Sequence, residues 1–150
     1  MKPLKILFVV LFIAALLLVG CSSGDGAAPT DSGKVALKIT GSVVNEQAWT
    51  EDQVKAMDTM DAESTNKEGE TKSYTGVLIT KLLAEAQPNA DAATVVFVAG
   101  DGYTAEVTLE ELNACPDCIV SFRNQGGFST VMPDFSGKLQ VKDVIEIQVK

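Results

Sequence analysis

The chain has 150 residues, which is enough for one domain and some additional segments. Its formal charge is −8, and an acidic surface repels phosphate backbones and anionic headgroups, so the composition argues against a nucleic-acid partner. There is no histidine. That excludes Ser-His-Asp and Cys-His catalysis, and it removes the usual haem ligand and every imidazole-based zinc site.

The N-terminal segment predicts export. Lys2 and Lys5 precede an unbroken apolar run over residues 6–19, which is shorter than the ~18–20 residues of a membrane-spanning helix and is typical of a secretory signal. Residues 18–22 read Leu-Val-Gly-Cys-Ser and resemble a bacterial lipobox. That resemblance implies a signal peptide over residues 1–20 and a lipidated Cys21. The alternatives are an ordinary signal peptide with a chance cysteine and an uncleaved anchor.

Residues 21–33 then form the lipidated cysteine and a flexible Ser-, Gly- and Ala-rich tether, and residues 34–150 form the folded domain. Loss of Lys2 and Lys5 leaves ten basic against twenty acidic residues. We therefore expect the lipid, not a basic patch, to hold the protein at a bacterial membrane, facing away from the cytoplasm.

The first elements of the domain are predicted from local patterns. Val35, Leu37 and Ile39 alternate with polar residues, which predicts a half-buried strand. Thr50 and Gln53 have the spacing of a capping box and predict the start of a short helix. Residues 64–74 predict a hairpin with its tip at 67–70. Gly76 is expected to be a joint before a second helix, whose apolar face is Leu78, Ile79, Leu82 and Leu83.

The second half predicts more strands than helices. Residues 95–99 are apolar on both faces and predict a central strand covered on both sides, followed by a turn at 100–102 and a partner strand carrying Tyr103, Ala105 and Val107. Thr108 begins another capping box, in a helix that ends near Ala114. A strand over 119–122, irregular segments at 124–128 and 132–134, and a last strand with Ile145, Ile147 and Val149 complete the chain. This pattern predicts an α+β fold with a mixed, partly barrel-like sheet and short helices.

Two motifs carry a family resemblance. Residues 74–83 read Tyr-Thr-Gly-Val-Leu-Ile-Thr-Lys-Leu-Leu, and after an apolar strand residues 101–103 read Asp-Gly-Tyr. In this order they resemble the oxidoreductase molybdopterin-binding domain, which has the sulfite-oxidase-like fold. The helix start at residues 49–51, the segment 108–112 and the closing segment 141–147 extend the likeness over most of residues 34–150.

The resemblance also implies what is missing. Catalytic members hold molybdenum through a cysteine upstream of the first motif, but residues 60–65 contain none, and Arg123 is the only arginine. A pyranopterin phosphate would need several cationic donors. We therefore expect a non-catalytic member with no cofactor, and molybdopterin is disfavoured. The residues expected to line the family's crevice are Thr65, Asn66, Tyr74, Asp101, Tyr103, Arg123, Asn124 and Phe128.

Several of these residues have structural alternatives. Tyr74 and Tyr103 could equally pack in the core with their hydroxyl groups hydrogen-bonded. Asp101 could equally stabilise the turn in which it lies. Arg123 is the most informative, because a lone arginine in an acidic protein can clamp a carboxylate, although it can equally form a salt bridge.

The pair Cys115 and Cys118 is the remaining motif with possible chemistry. The preceding helix is predicted to end just before Cys115, so the helix dipole opposes formation of a thiolate there. Outside the cytoplasm a structural disulfide is the default. The leading hypothesis is a membrane-anchored lipoprotein whose domain binds a small ligand or a partner protein. The alternatives are thiol–disulfide exchange through this pair and a residual molybdopterin-type oxidoreductase.

Overall fold

The computed structural model describes residues 33–150. The signal peptide, the lipidated Cys21 and most of the tether predicted above lie outside this range. Among residues 33–150, no helix is long and apolar enough to cross a membrane.

Nine strands and three short α-helices make up the described domain, which confirms the α+β prediction. The strands are β1 (Val35–Gly41), β2 (Gln47–Thr50), β3 (Met60–Thr65), β4 (Thr71–Leu78), β5 (Thr94–Ala99), β6 (Thr104–Thr108), β7 (Ile119–Phe122), β8 (Phe128–Val131) and β9 (Val144–Val149). The helices are α1 (Glu51–Lys55), α2 (Ile79–Ala86) and α3 (Leu109–Asn113), and a 3-10 turn spans Gly137–Leu139.

The strands form two sheets. The five-stranded sheet has the order β2-β1-β9-β5-β6, with β1 parallel to β9 and the other neighbours antiparallel. The four-stranded sheet has the order β3-β4-β7-β8 and is antiparallel throughout. The main core lies on the inner face of the larger sheet, where Leu37, Phe97 and Ile147 are fully buried together with Leu82 of α2 and Leu112 of α3.

Both predicted capping boxes are present. Thr50 accepts the backbone N–H of Gln53, whose side chain accepts the N–H of Thr50 in return, and Thr108 and Glu111 make the same exchange at α3. These reciprocal hydrogen bonds satisfy N–H groups that the first turn of a helix leaves without intrahelical partners. The short helices therefore begin where the sequence predicts.

The prediction for Gly76 was wrong. It lies inside β4, paired with Ser121 of β7, and α2 begins only at Ile79. A Cβ built on Gly76 would lie 2.2 Å from the carbonyl oxygen of Val120, so glycine is needed for the close approach of two strands. Leu78 is consequently the last residue of the strand, and its side chain packs in a separate cluster from the apolar face of α2.

Three further details differ from the sequence prediction. Residues 128–131 form the strand β8, which the sequence did not predict, and Phe128 was expected at the end of an irregular segment. Ile145 is 42% exposed, because a register shift between β5 and β9 turns Val144 into the core instead. Val96 is buried, as expected for a strand covered on both faces. Its neighbours on the adjacent strands are Glu106 and Gln148, so polar residues lie beside it on that face of the sheet.

Candidate functional site

The four-stranded sheet curls until its two edge strands meet. Residues of β3 and β8 come within 8 Å of each other between Cα atoms, although two strands lie between them in the sheet. Ala62 of β3 and Val131 of β8 accordingly share one buried cluster with Ile119. The sheet is therefore concave on this face, which gives the barrel-like character expected from the sequence without closing a barrel.

The concave face changes from apolar to polar along the strands. Beyond the buried cluster, the strand register places Tyr74, Ser121 and Ser129 on the same face. They border a cavity of about 560 Å³, the curled-sheet groove. Its lining consists of Ser73, Tyr74, Thr75, Ser121, Phe122, Arg123, Asn124, Ser129, Thr130, Val131, Gln140 and Lys142.

The charges of this lining have one sign. Arg123 and Lys142 are cationic, and no lining residue is Asp or Glu. The chain as a whole has a formal charge of −8. The curled-sheet groove is therefore an electropositive site on an acidic protein, and a cleft lined by one sign of charge concentrates ligands of the opposite sign.

Arg123 is fixed by a turn and by an ion pair. It lies just after β7, where its backbone N–H donates to the carbonyl of Gly127 and its carbonyl accepts the N–H of Gly126. Its Nη1 donates to Oδ1 of Asp143 at 2.7 Å, and the arginine side chain is 20% exposed. The guanidinium is thus held at the wall of the groove by one of its nitrogens.

Asp143 connects two loops. Its backbone has a φ of 57°, and its carbonyl accepts the N–H of Gly100 at 2.9 Å. A Cβ on Gly100 would lie 2.6 Å from Oδ2 of Asp143, so a side chain at Gly100 would displace the carboxylate. Through Asp143, the turn at 100–102 and the loop that begins at Arg123 share one support. Asp143 was not among the site residues predicted from the sequence.

A second carboxylate holds the other side of the same loop. Oε2 of Glu51 accepts the backbone N–H of Gly127 at 3.1 Å, and its Oε1 is 2.6 Å from Nζ of Lys55. Hydrogen bonding from Lys55, and then from the Gly127 N–H, lowers the pKa of Glu51 below its ordinary value. The first turn of α1 therefore anchors the loop over residues 123–127, called the glycine loop because it contains Gly126 and Gly127.

The structure brings only some of the predicted site residues together. Tyr74, Arg123 and Asn124 line the curled-sheet groove. Thr65 and Asn66 lie in an adjoining cavity of about 820 Å³, the hairpin groove, bounded by the β3–β4 tip and residues 132–135, 137 and 140. Tyr74 and Gln140 border both cavities. The Oδ1 of Asn66 accepts two backbone N–H groups of the hairpin tip, so its side chain also stabilises that turn.

The other three predicted residues lie apart from the groove lining. Phe128 is fully buried, with its ring 6.3 Å from that of Phe122. Oδ1 of Asp101 accepts the N–H of Tyr103 at 3.0 Å, as expected for a residue that stabilises its turn. The hydroxyl of Tyr103 donates to the carbonyl of Lys138, and the residue is 46% exposed.

Nine of the twelve lining residues were not predicted, and Ser129, Gln140 and Lys142 are three of them. Lys142 reaches the groove through an isolated antiparallel bridge to Ser129. Gln140 is held by two hydrogen bonds to the backbone of Met132. Ser129 belongs to β8, a strand that the sequence did not predict. Within residues 33–150, no group of three or more Cys, Asp or Glu side chains is arranged to hold a metal ion.

Cys115 and Cys118 are joined by a disulfide, with their Cα atoms 5.6 Å apart. Cys115 follows the C-terminal end of α3, and Cys118 is fully buried before β7. The carbonyl of Cys118 accepts the N–H of Ile79, the first residue of α2. The bond therefore lies where α2, α3 and the curled sheet meet.

No protein-family model and no curated protein sequence matches this chain. Among solved structures, the sulfane dehydrogenase SoxCD from Paracoccus pantotrophus is similar to it, with a TM-score of 0.65 and 18% sequence identity over 83% of this chain. The match spans 40% of the SoxCD chain. The domain thus has the sulfite-oxidase-like fold, and this similarity is one of fold.

Proposed function

We propose that this protein is a lipid-anchored extracytoplasmic protein whose sulfite-oxidase-like domain binds a small ligand in the curled-sheet groove and performs no molybdenum chemistry. The observation that carries the proposal is the groove itself, a cavity of about 560 Å³ in which polar side chains from three strands and a returning segment converge. Concave sites with a few convergent polar groups are the usual form of small-molecule sites.

The donor set supports binding without molybdopterin. The two cysteines of the described residues are consumed by their disulfide, so that part of the chain offers no thiolate to a molybdenum ion. Arg123 and Lys142 are the two cations of the groove lining, and Arg123 also pairs with Asp143. A pterin phosphate is normally held by more cationic donors than this. The residues therefore do not fit the group.

The test is native mass spectrometry of the full chain purified from its own kind of host, with elemental analysis for molybdenum. We expect a bound small molecule that is lost when Tyr74→Trp or Ser129→Trp fills the groove. Lys38→Trp, at an exposed position of β1 in the other sheet, is the matched control. Stoichiometric molybdenum, or a ligand retained equally by all three variants, would refute the proposal.

Membrane attachment is tested separately. The mature chain should begin at Cys21 and carry acyl groups, and it should fractionate with membranes. Cys21→Ser should release it into the soluble extracytoplasmic fraction. Membrane association that survives this substitution would contradict lipid anchoring.

Thiol–disulfide exchange is less well supported as a second function. Cys118 is fully buried, and Cys115 stands at the C-terminal end of α3, where the dipole disfavours a thiolate. A structural disulfide should resist the glutathione pool and react slowly with alkylating agents after reduction. A high reduction potential with a rapidly alkylated thiol would favour exchange instead.

A further inference from the structure

We propose that the ligand of the curled-sheet groove is a small anion, a carboxylate or another oxyanion, held by Arg123 and Lys142. This inference rests on the proposed function and adds the chemical class of the ligand. Its basis is the separation of charge on the surface: the groove contains two cations and no carboxylate, in a chain with a formal charge of −8.

The ion pair with Asp143 leaves other hydrogen-bond donors of the Arg123 side chain available. Among the described residues, the side chain of Arg123 makes one hydrogen bond, from Nη1 to Oδ1 of Asp143. A guanidinium has five N–H donors in a rigid fork, so most of its donors stay available to a ligand. Asp143 itself does not line the groove, and its side chain is 56% exposed. With Lys142 included, the local charge remains positive.

Asp143 therefore acts as a positioning residue. It holds one nitrogen of the guanidinium, which removes part of the entropy cost of ordering an arginine on binding. Its own place is fixed by the hydrogen bond from Gly100 and by the absence of a side chain there. Glu51 holds the same loop from the opposite side through Gly127.

The adjoining hairpin groove limits the size of the anion. Its lining includes four acidic residues and only two lysines: Glu63, Glu68, Glu70 and Asp134 against Lys67 and Lys72. An extended polyanion that began at Arg123 would meet like charge as it passed Tyr74. We therefore expect the site to take a small anion and to reject nucleic acid and other polyanions.

The experiment uses the full chain, ¹⁵N-labelled and held in detergent micelles, titrated with matched pairs of charged and neutral probes. The pairs are acetate with acetamide and succinate with succinamide, and inorganic phosphate and sulfate extend the series. We expect saturable amide shifts around Arg123, Ser129 and Lys142 with anions at concentrations on the order of 10 mM or below, and none with the amides. Added inert salt should weaken binding.

The variants separate charge from structure. Arg123→Gln and Lys142→Gln should each weaken anion binding by about tenfold, because each removes one charge-assisted contact. Lys38→Gln, which removes an exposed charge from the other sheet, should have no effect. Asp143→Asn keeps the size of the side chain but weakens the ion pair, and it should shift the amides of residues 123–127 in the free protein while lowering affinity less than Arg123→Gln.

Three results would overturn the inference. Equal binding of anions and their amides, or no loss of affinity in both glutamine variants, would show that charge does not select the ligand. A neutral or cationic molecule recovered from the groove by native mass spectrometry would refute the anion assignment while sustaining the proposed function. No groove shift with any probe, together with a ligand-free protein from the host, would refute both.

Discussion

Replacing Gly76 with alanine tests the close approach of β4 to β7 inside the curled sheet. The added Cβ would lie 2.2 Å from the carbonyl oxygen of Val120 and 2.6 Å from Cα of Ser121. Ordinary contact between such atoms begins at about 3.5 Å, so β4 and β7 would have to separate by about 1 Å. The φ of Gly76 is outside the left-handed region, and the requirement for glycine is steric.

The expected loss of stability can be estimated from this overlap. Overpacking usually costs about 1–3 kcal/mol, and here the obstructing atoms belong to the backbone, so no change of rotamer relieves the clash. We expect the upper end, about 3 kcal/mol. An unfolding entropy of about 2.1 cal/mol/K per residue over residues 33–150 corresponds to a fall of about 4 °C per kcal/mol. The Tm should therefore fall by about 12 °C.

The assay is thermal and urea unfolding of Gly76→Ala beside Gly137→Ala. Gly137 also has an ordinary φ, but nothing lies within 4 Å of its added Cβ, so alanine there should leave stability within about 0.5 kcal/mol of the parent. If Gly76→Ala unfolds together with Gly137→Ala, the strands separate easily and the steric account of this motif glycine is wrong.

Four other changes have defined outcomes. Thr130→Val leaves two buried backbone partners of its hydroxyl unsatisfied and should cost about 1–3 kcal/mol in urea unfolding, against little for Ser129→Ala. Thr108→Ala removes a capping box and should cost about 1 kcal/mol. Replacing Cys115 and Cys118 by alanine opens a loop of four residues and should cost about 2 kcal/mol, whereas reducing agent should not destabilise this variant further. The pKa of Glu51 is lowered in the folded protein, so its stabilisation is present above its ordinary pKa of about 4.5 and is lost as the pH falls through the folded value. The stability gap between the parent and Glu51→Gln should therefore close in acid, and a gap independent of pH would contradict this.

The strands and helices that the sequence predicted are those specified by their own residues. Capping boxes at Thr50 and Thr108 depend on side chains three residues apart, and alternation in β1 depends on neighbours two apart. Strand β8 was missed because its buried Thr130 looks polar in the sequence. In the structure its hydroxyl donates to the carbonyl of Leu139 and accepts the N–H of Val141. Both partners lie in residues 139–141, a segment that returns alongside β8, and no local sequence pattern reveals that contact.

The same reason explains which site residues were found. Tyr74 and Arg123 were recognised because they lie in or beside motifs with a family resemblance. Lys142 and Asp143 depend on the pairing of residues 139–142 alongside β8, a contact between distant parts of the chain. Gly76 was misread for a related reason, since glycine before a predicted helix indicates a joint unless the neighbouring strand is known.

The groove is built so that its cations need no acidic lining to hold them in place. Asp143 contacts Arg123 from outside the cavity, and Glu51 fixes the glycine loop through a backbone N–H. Both carboxylates bind groups of the loop over residues 123–127, but neither lines the groove. The charged side chains of the lining are therefore all cationic, although the chain as a whole is acidic. A purely structural ion pair would not require this separation, because a carboxylate within the cavity would stabilise Arg123 equally well. On the proposal that the groove binds an anion, the charge-reversed variant Lys142→Glu should therefore weaken anion binding more than Lys142→Gln, because it places a carboxylate in a lining that has none.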